Sequence, residues 1–419
     1  MKIFKFGGAS VKDAQGIQNL TSILQRYPET GVVVVISAMG KTTNAMEAVV
    51  EAHFNPDQSV SPLIQSIREN HIQTVEELFD DQAPAYLRKL QGIFEELTTL
   101  LERSKSPNYS FIYDQIVSFG ELLSTSIVTW YLDSLGVPVE WLDARSCVKT
   151  DDYYRNAHLD WDATQQKIRT VVKKDRVTIT QGFIGSDSNN FTTTLGREGS
   201  DYSAAIFGYS LNASEVTIWK DVPGVMNGDP RVFKSTTLLE TISYREAIEL
   251  AYYGASVIHP KTLQPLQRKE IPLFVKSFKD PQAPGTVVGR GHVLEPMVPC
   301  YIQKKNQTLL HLSTIDFSFI VEDNISEIFK LLHQTQMRVE LIQNSAISFS
   351  VCVYNKYDRL EELVQQLRTS FKVEVHEDVW LYTIRHYNDD AIAYIKGRGG
   401  EVLLEQKTPE TAQFVMGLK

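Results

Sequence analysis

Through the first 290 or so residues, short Val/Ile-rich runs alternate with longer helix-like stretches, and this alternation constrains the fold more than any other feature. KIFKFG (2–7) is followed by DAQGIQNLTSILQRY (13–27), GVVVVISAMG (31–40), a long helical region from about Thr43 to Arg103, and VPVEWLDA (137–144). The order resumes with RVTITQGFIG (176–185), the helical SDYSAAIFGYSLNA (200–213), EVTIWKDVPGV (215–225), the helical SYREAIELAYYG (243–254) and IPLFVKSF (271–278). Alternating β and α stretches predict a mostly parallel sheet covered by helices on both faces, an α/β domain.

A Pro/Gly-rich passage, DPQAPGTVVGRGHVLEPMVPC (280–300), separates this from a different pattern. Strand-like TLLHLST, helix-like NISEIFKLLHQTQ, strand-like RVELIQNS and AISFSVCVY, helix-like YDRLEELVQQLRTSF and strand-like KVEVHEDV follow one another. That βαββαβ order is a ferredoxin-like α+β unit. WLYTIRHY, NDDAIAYIKGRG, EVLLEQKT and TAQFVMG begin the order again and stop short, so VPCYIQ (298–303) is expected to complete the second unit. The expected division is a domain at 1–290, a linker at 291–297 and a tandem at 298–419, with modules at about 307–379 and at 298–303 with 380–419.

At 419 residues the chain is long enough for two or three domains. Its net charge of −9 argues against nucleic acid as the main partner, and a small-molecule ligand fits better. The longest apolar runs, such as 31–38, are strand-sized, so no membrane span is expected. The start MKIFKF lacks a signal-peptide pattern, which favours a cytoplasmic location. Cys147, Cys300 and Cys352 are scattered without CxxC spacing, as expected of core thiols and not of a zinc site or disulfide framework.

Several loops carry residue types suited to chemistry. Lys5 with Gly7 and Gly8 fits a backbone approach to an anion at a helix start, or simply a tight βα turn with a surface lysine. No GxxxxGK[ST] occurs, so a nucleotide must be held in another way. SAMGKTTN (37–44) ends a strand where open α/β sheets bind ligands, and reads equally as a capped helix start. In SFGELLS (118–124), Glu121 suits a ligand ammonium or merely complements a helix dipole.

TTTLGREGSDYSAA (192–205) gathers hydroxyls, glycines, Arg197, Ser200 and Asp201 before a small-residue helix, the densest such collection in the chain. Arginine grips a carboxylate or phosphate with two parallel hydrogen bonds. WKDVPGVMNGDPR (219–231) suits a nucleotide loop or an ordinary pair of surface turns. His259, in GASVIHPKT (254–262), reads as a satisfied buried histidine more than as a ligand or base.

Taken in order, KFGGAS, SAMGKTTN, SFGELLS, TQGFIGS, TTTLGREGSDYSA, WKDVPGVMNGDPR and GASVIHPKTL resemble the aspartate kinase family of the amino acid kinase superfamily, over about 280 residues. The tandem resembles that family's paired ACT modules, which bind amino-acid effectors. The resemblance implies transfer of a phosphoryl group from ATP, with Mg²⁺, to the side-chain carboxylate of L-aspartate, the step that opens the route to lysine, threonine and methionine. No GxGxxG fingerprint follows, so a fused dehydrogenase is not expected.

By the same resemblance Lys5, Arg197 and Asp201 are catalytic, and Thr43, Glu121, Phe183, Arg197 and Ser200 bind aspartate. Lys5, Gly7, Gly8, Ser10, Lys220, Asp221, Met226, Arg231, Ser256 and Val257 are expected around ATP, and Asn324, Glu340 and Ser345 around a lysine or threonine effector. No protein metal ligand is assigned. A homo-oligomer assembled through the ACT-like region is expected, with neither nucleic acid nor membrane as partner. Ser256 stands where many members carry lysine, Met226 where an aromatic residue is frequent, and Glu198 where glycine is frequent. The Ser256 and Glu198 departures keep open an amino-acid sensor that has lost turnover; a sister kinase acting on another acidic amino acid is a third reading, against which the paired ACT-like modules and SFGELLS argue.

Overall fold

The computed structural model describes residues 1–27, 31–255, 258–316 and 318–417. The chain forms two compact units: Met1–Val225 with Leu238–Ile248 and Val257–Leu294, and Met226–Thr237 with Glu249–Ser256 and Glu295–Lys419.

In the first unit the strands are β1 (Lys2–Phe6), β2 (Val32–Ile36), β3 (Val139–Leu142), β4 (Val177–Gln181), the hairpin β5 (Ile184–Ser186) and β6 (Thr192–Thr194), then β7 (Glu215–Lys220), β8 (Thr241–Ser243), β9 (Leu273–Ser277) and β10 (Thr286–Gly289). Eight of them make one sheet in the order β3-β4-β2-β1-β7-β9-β10-β8. Every pairing in it is parallel except β9 with β10. VVVVI is buried at all five positions of β2, as a strand covered on both faces requires. Helix Ala14–Gln25 lays Ile17, Leu20, Ile23 and Leu24 against this core, and the Asp13 carboxylate caps it by accepting from the Gly16 N–H at 2.8 Å.

Two expectations needed refinement. The long helical region is three helices, Thr42–Phe54, Ser61–Phe79 and Ala83–Arg103, and Pro62 and Pro84 occupy first-turn positions that proline tolerates. RVTITQGFIG is two strands, broken where Phe183 takes φ +70°.

The second unit is a single antiparallel sheet of β11 (Cys300–Thr314), β12 (Arg338–Asn344), β13 (Ser348–Tyr354), β14 (Phe371–Arg385), β15 (Glu401–Lys407) and β16 (Thr411–Gly417), in the order β12-β13-β11-β14-β16-β15. Four runs expected as separate strands are thus two strands of 15 residues each. Neither contains Pro or Gly, so the ladder continues past its polar middle. Asn306 and Asp378 sit there at φ +54°, where the β11–β14 register shifts, as at a bulge. Cys300–Lys304 pairs with Leu381–Arg385, and Gln307–Thr314 with Phe371–Val379. One apolar core gathers Leu310, Ile328 and Phe349 under helices Glu322–Gln334 and Leu360–Leu367. Another gathers Phe233, Ile384, Ile395 and Phe414 beside helix Asp389–Lys396.

Candidate active site

The C-terminal ends of β1, β2, β4 and β7 open onto a cleft of about 480 Å³, the position where α/β sheets bind ligands. There Lys5 of β1, Lys220 of β7 and Asp201 in the first turn of helix Gly199–Leu211 converge. The Asp201 carboxylate, only 4% exposed, lies 2.7 Å from Lys5 Nζ and 3.4 Å from Lys220 Nζ. Burial alone pushes such a carboxyl up; the two ammonium groups outweigh it and hold Asp201 below the usual range. Two cations sharing one anion leave this part of the cleft with a net positive charge beside bare backbone.

Gly7 and Gly8 form the turn beneath Lys5. A Cβ on Gly8 would stand 2.7 Å from the carbonyl oxygens of both Ala38 and Gly40, so only glycine lets these two loops close. The segment after them is a short 3₁₀ turn, Gly8–Val11, and the α-helix begins only at Ala14 with its own cap. The helix thus falls within the run 13–27 read as helical, and the 3₁₀ turn stands between it and the glycines. Ser10 is buried and its hydroxyl donates to the Trp219 carbonyl at 3.5 Å, joining the turn to β7.

Glu121 lines the same cleft from the first turn of helix Phe119–Ser134. Its Oε1 accepts from the Ala38 N–H at 3.2 Å, while its buried Oε2 has no partner. Burial outweighs that hydrogen bond and the charge of Lys5, and pushes the carboxyl up to about 8. Thr43, in the first turn of helix Thr42–Phe54, Ser37, Phe183, Arg197 and Ser200 line the same cleft. Phe183 is held by its N–H donating to Ser203 Oγ at 2.9 Å, and its ring lies where a Cβ on Gly199 would be. Glu198 precedes the helix at φ +55°, with Oε2 buried and unpartnered.

Tyr113 and Arg155 also line the cleft and were not singled out from the sequence. Tyr113 donates its hydroxyl to Glu47 Oε1 at 2.7 Å, and burial first, then Glu47, pushes the phenol well up. Its neighbour Asp114 is fully buried, accepting from the Arg155 N–H at 3.0 and 3.1 Å, the Thr194 N–H at 2.8 Å and Thr194 Oγ1 at 2.8 Å. Burial outweighs these donors and moves Asp114 up to about 6. No local pattern in YYRNAH marks Arg155, because what positions it lies 41 residues away.

Asp221, Met226 and Arg231 are not among the residues that line this cleft. Asp221 is exposed just beyond β7. Met226 and Arg231 belong to the second unit, where Arg231 pairs with Asp229 at 2.7 Å. Ser256 and Val257 lie outside the described residues. His259 caps helix Pro260–Lys269 through Nδ1, which accepts from the Lys261 N–H at 3.1 Å, and burial lowers its pKa. In the second unit Glu340 is paired with Lys304 and, at 3.0 Å, with Arg338 Nε. Asn324 accepts from the Val321 N–H at 3.0 Å, and Ser345 Oγ meets Ser348 Oγ at 2.8 Å.

Among the described residues no helix is long and apolar enough to cross a membrane. The amino acid kinase family model matches residues 1–277. The lysine-sensitive aspartokinase 3 of Escherichia coli is 33% identical over 393 residues, 91% of this chain and 86% of that protein. The crystal structure of E. coli aspartokinase III in complex with aspartate and ADP (R-state) superposes with a TM-score of 0.82 at 29% identity, covering 100% of this chain and 96% of that one. The same enzyme in complex with lysine and aspartate (T-state) gives 0.81 at 30% identity over the same shares. The chain belongs to the amino acid kinase family and, within it, to the aspartokinases.

Proposed function

We propose that this enzyme is an aspartate kinase, transferring the γ-phosphoryl group of Mg·ATP to the side-chain carboxylate of L-aspartate to give 4-phospho-L-aspartate and ADP. One observation carries the reading: a single cleft is lined both by Glu121, which has an unpartnered carboxylate oxygen, and by the Lys5–Asp201–Lys220 cluster. An amino acid with a second carboxylate matches that combination. Its ammonium meets Glu121, its α-carboxylate meets Arg197, and its side chain is directed at the phosphate-binding end.

The acceptor needs no base, since a side-chain carboxylate with a reference pKa of about 3.9 is already ionised at neutral pH. An oxygen of that carboxylate forms the new bond to the γ-phosphorus as the bond to the β,γ-bridging oxygen breaks, and ADP leaves with the electron pair. Transfer of this kind depends on positioning and charge neutralisation, which Lys5 and Lys220 supply, with Asp201 holding both ammonium groups in place. Among the described residues no group of three or more His, Cys, Asp or Glu is placed to hold a metal ion. With Asp201 already paired with two lysines, the donor set fits an ion that arrives on the nucleotide's phosphates. Bound there, such an ion would neutralise charge on the phosphate oxygens.

We assign regulation by lysine or threonine to the second unit, read as an ACT-like tandem, and a homo-oligomer assembled through it. Glu340 already holds Lys304 and Arg338, so an effector ammonium that used it would have to displace one of them. ATP-dependent formation of aspartyl hydroxamate, with and without L-aspartate, L-glutamate, lysine and threonine, tests the whole reading. Aspartate-dependent product is expected; none at all would point instead to a sensor that has lost its chemistry, and the intact Lys5–Asp201 pair is the observation against that alternative.

A further inference from the structure

We infer that Arg155 is a second carboxylate grip in the acceptor end of the cleft, setting affinity for the amino acid alongside Arg197. The inference rests on the aspartate kinase reading and extends it to a residue that the reading does not require. Three observations converge on it.

The first is placement. Arg155 lines the cleft together with Tyr113, Thr43 and Glu121. Its guanidinium lies over the Tyr113 ring at 4.4 Å and the Tyr109 ring at 5.6 Å, while none of the ion pairs among the described residues engages it. A guanidinium laid on aromatic faces keeps its N–H edge available for an anion, and that planar fork matches a carboxylate.

The second is the backbone. Arg155 sits at φ +70°, a conformation that disfavours residues with a Cβ. Such outliers persist only where surrounding structure over-determines them, and they gather at ligand sites. Two other cleft-lining residues, Phe183 at φ +70° and Glu198 at φ +55°, share the feature.

The third is the anchor. Fully buried Asp114 takes the Arg155 N–H on both oxygens and the Thr194 N–H and hydroxyl as well. Thr194 ends β6 and leads into the loop bearing Arg197, so one carboxylate fixes the backbone of both arginine-bearing walls. Two guanidinium groups held on a common anchor suit a substrate that carries a carboxylate besides the one that reacts.

The test compares wild type with Arg155→Gly and Arg155→Lys, using L-aspartate and its α-amide as acceptors. Glycine accepts the left-handed backbone, so Arg155→Gly should fold with an unchanged or higher melting temperature. Loss of a charge-assisted contact should raise KM for L-aspartate by about ten- to a hundredfold, with KM for ATP little moved and the lysine variant intermediate. The α-amide, which lacks the gripped charge, should lose far less. An unchanged KM for aspartate, or equal losses for aspartate and amide, would overturn the role of Arg155 and leave the kinase reading standing. A wild-type enzyme that phosphorylates no aspartate would overturn both.

Discussion

Glu121 and Asp201 line one cleft, each in the first turn of a helix, and they are equally hidden, at 2% and 3% exposure. Burial pushes both carboxyls up, yet Glu121 reaches about 8 while Asp201 is held below its ordinary value. The difference is company. Asp201 has two ammonium groups built into the fold, whereas Glu121 has one backbone N–H and an empty oxygen. A carboxylate paired within the fold organises the site. One left unpaired is complementary to a charge that only the substrate brings.

The harshest way to break this comparison is to remove an internal partner. Lys5→Ala leaves Asp201 with Lys220 alone and takes a cation from the developing charge on the transferred group. Loss of one such stabilising group costs about 10²–10³ in kcat. Steady-state hydroxamate formation should show that loss with circular dichroism unchanged. A variant retaining more than half of wild-type kcat would remove Lys5 from the mechanism.

Glu121→Gln attacks the other carboxylate. The amide keeps the shape but offers no charge to the substrate ammonium, so KM for L-aspartate should rise by about ten- to a hundredfold, with the larger share of the loss in KM and not in kcat. Stability should respond with the opposite sign. A carboxyl raised from 4.5 to about 8 on folding gives stability that is complete below its unfolded pKa and is lost as pH rises through about 8. The glutamine variant lacks that loss, so it should match wild type near pH 4.5 and unfold at higher denaturant above pH 8.

The same shift predicts how wild type itself titrates. Below pH 8 Glu121 must give up its proton before it can hold an ammonium, so KM for aspartate should climb as pH falls from 8 to 6, by up to about tenfold per unit. Calorimetry at pH 7 in buffers of different ionisation enthalpy should detect proton release on aspartate binding. Glu121→Gln should flatten the pH profile and abolish that release. A flat wild-type profile would mean that Glu121 is already ionised in the free enzyme.

The surroundings of the two carboxylates were not equally legible in the sequence. KFGGAS can be named from the sequence, though it reads equally as a plain βα turn, and the structure shows why glycine is needed there, with backbone oxygens 2.7 Å from a Cβ on Gly8; GREGSD stands out by its density of polar residues and glycines. Glu121 could be named as a candidate but not distinguished from a dipole-complementing acid, since its unpartnered oxygen depends on packing against Ala38, 83 residues away. Arg155 was invisible for the same reason, its position being fixed by Asp114. Arg231 is named through the resemblance, and its membership of the second unit could not be read from the sequence. It follows Lys220 by eleven residues, but Phe233 is drawn into an apolar core of the second unit and carries the intervening loop there. The two long strands of that unit read as four runs in the sequence, and the structure places Asn306 and Asp378 at bulges within a continuous ladder.

Glu198 gives the smallest effect and the finest test of the comparison, because it is a third carboxylate in the same cleft with neither a built-in partner nor a place that an ammonium substrate must occupy. Its φ of +55° and its buried, unpartnered Oε2 both cost stability. Glycine removes both costs and adds freedom to the unfolded chain, so Glu198→Gly should gain on balance about 1 kcal/mol. In a protein of this size that corresponds to a melting temperature about 1–3 °C higher. Beside Arg197, loss of the negative charge should also lower KM for aspartate by about two- to threefold, a change consistent with the weak coupling of partly exposed charges. If the melting temperature falls instead, Glu198 is paired within the fold as Asp201 is. If KM rises, its free oxygen serves the substrate as that of Glu121 does, and the cleft holds two acceptor carboxylates where the comparison allows one.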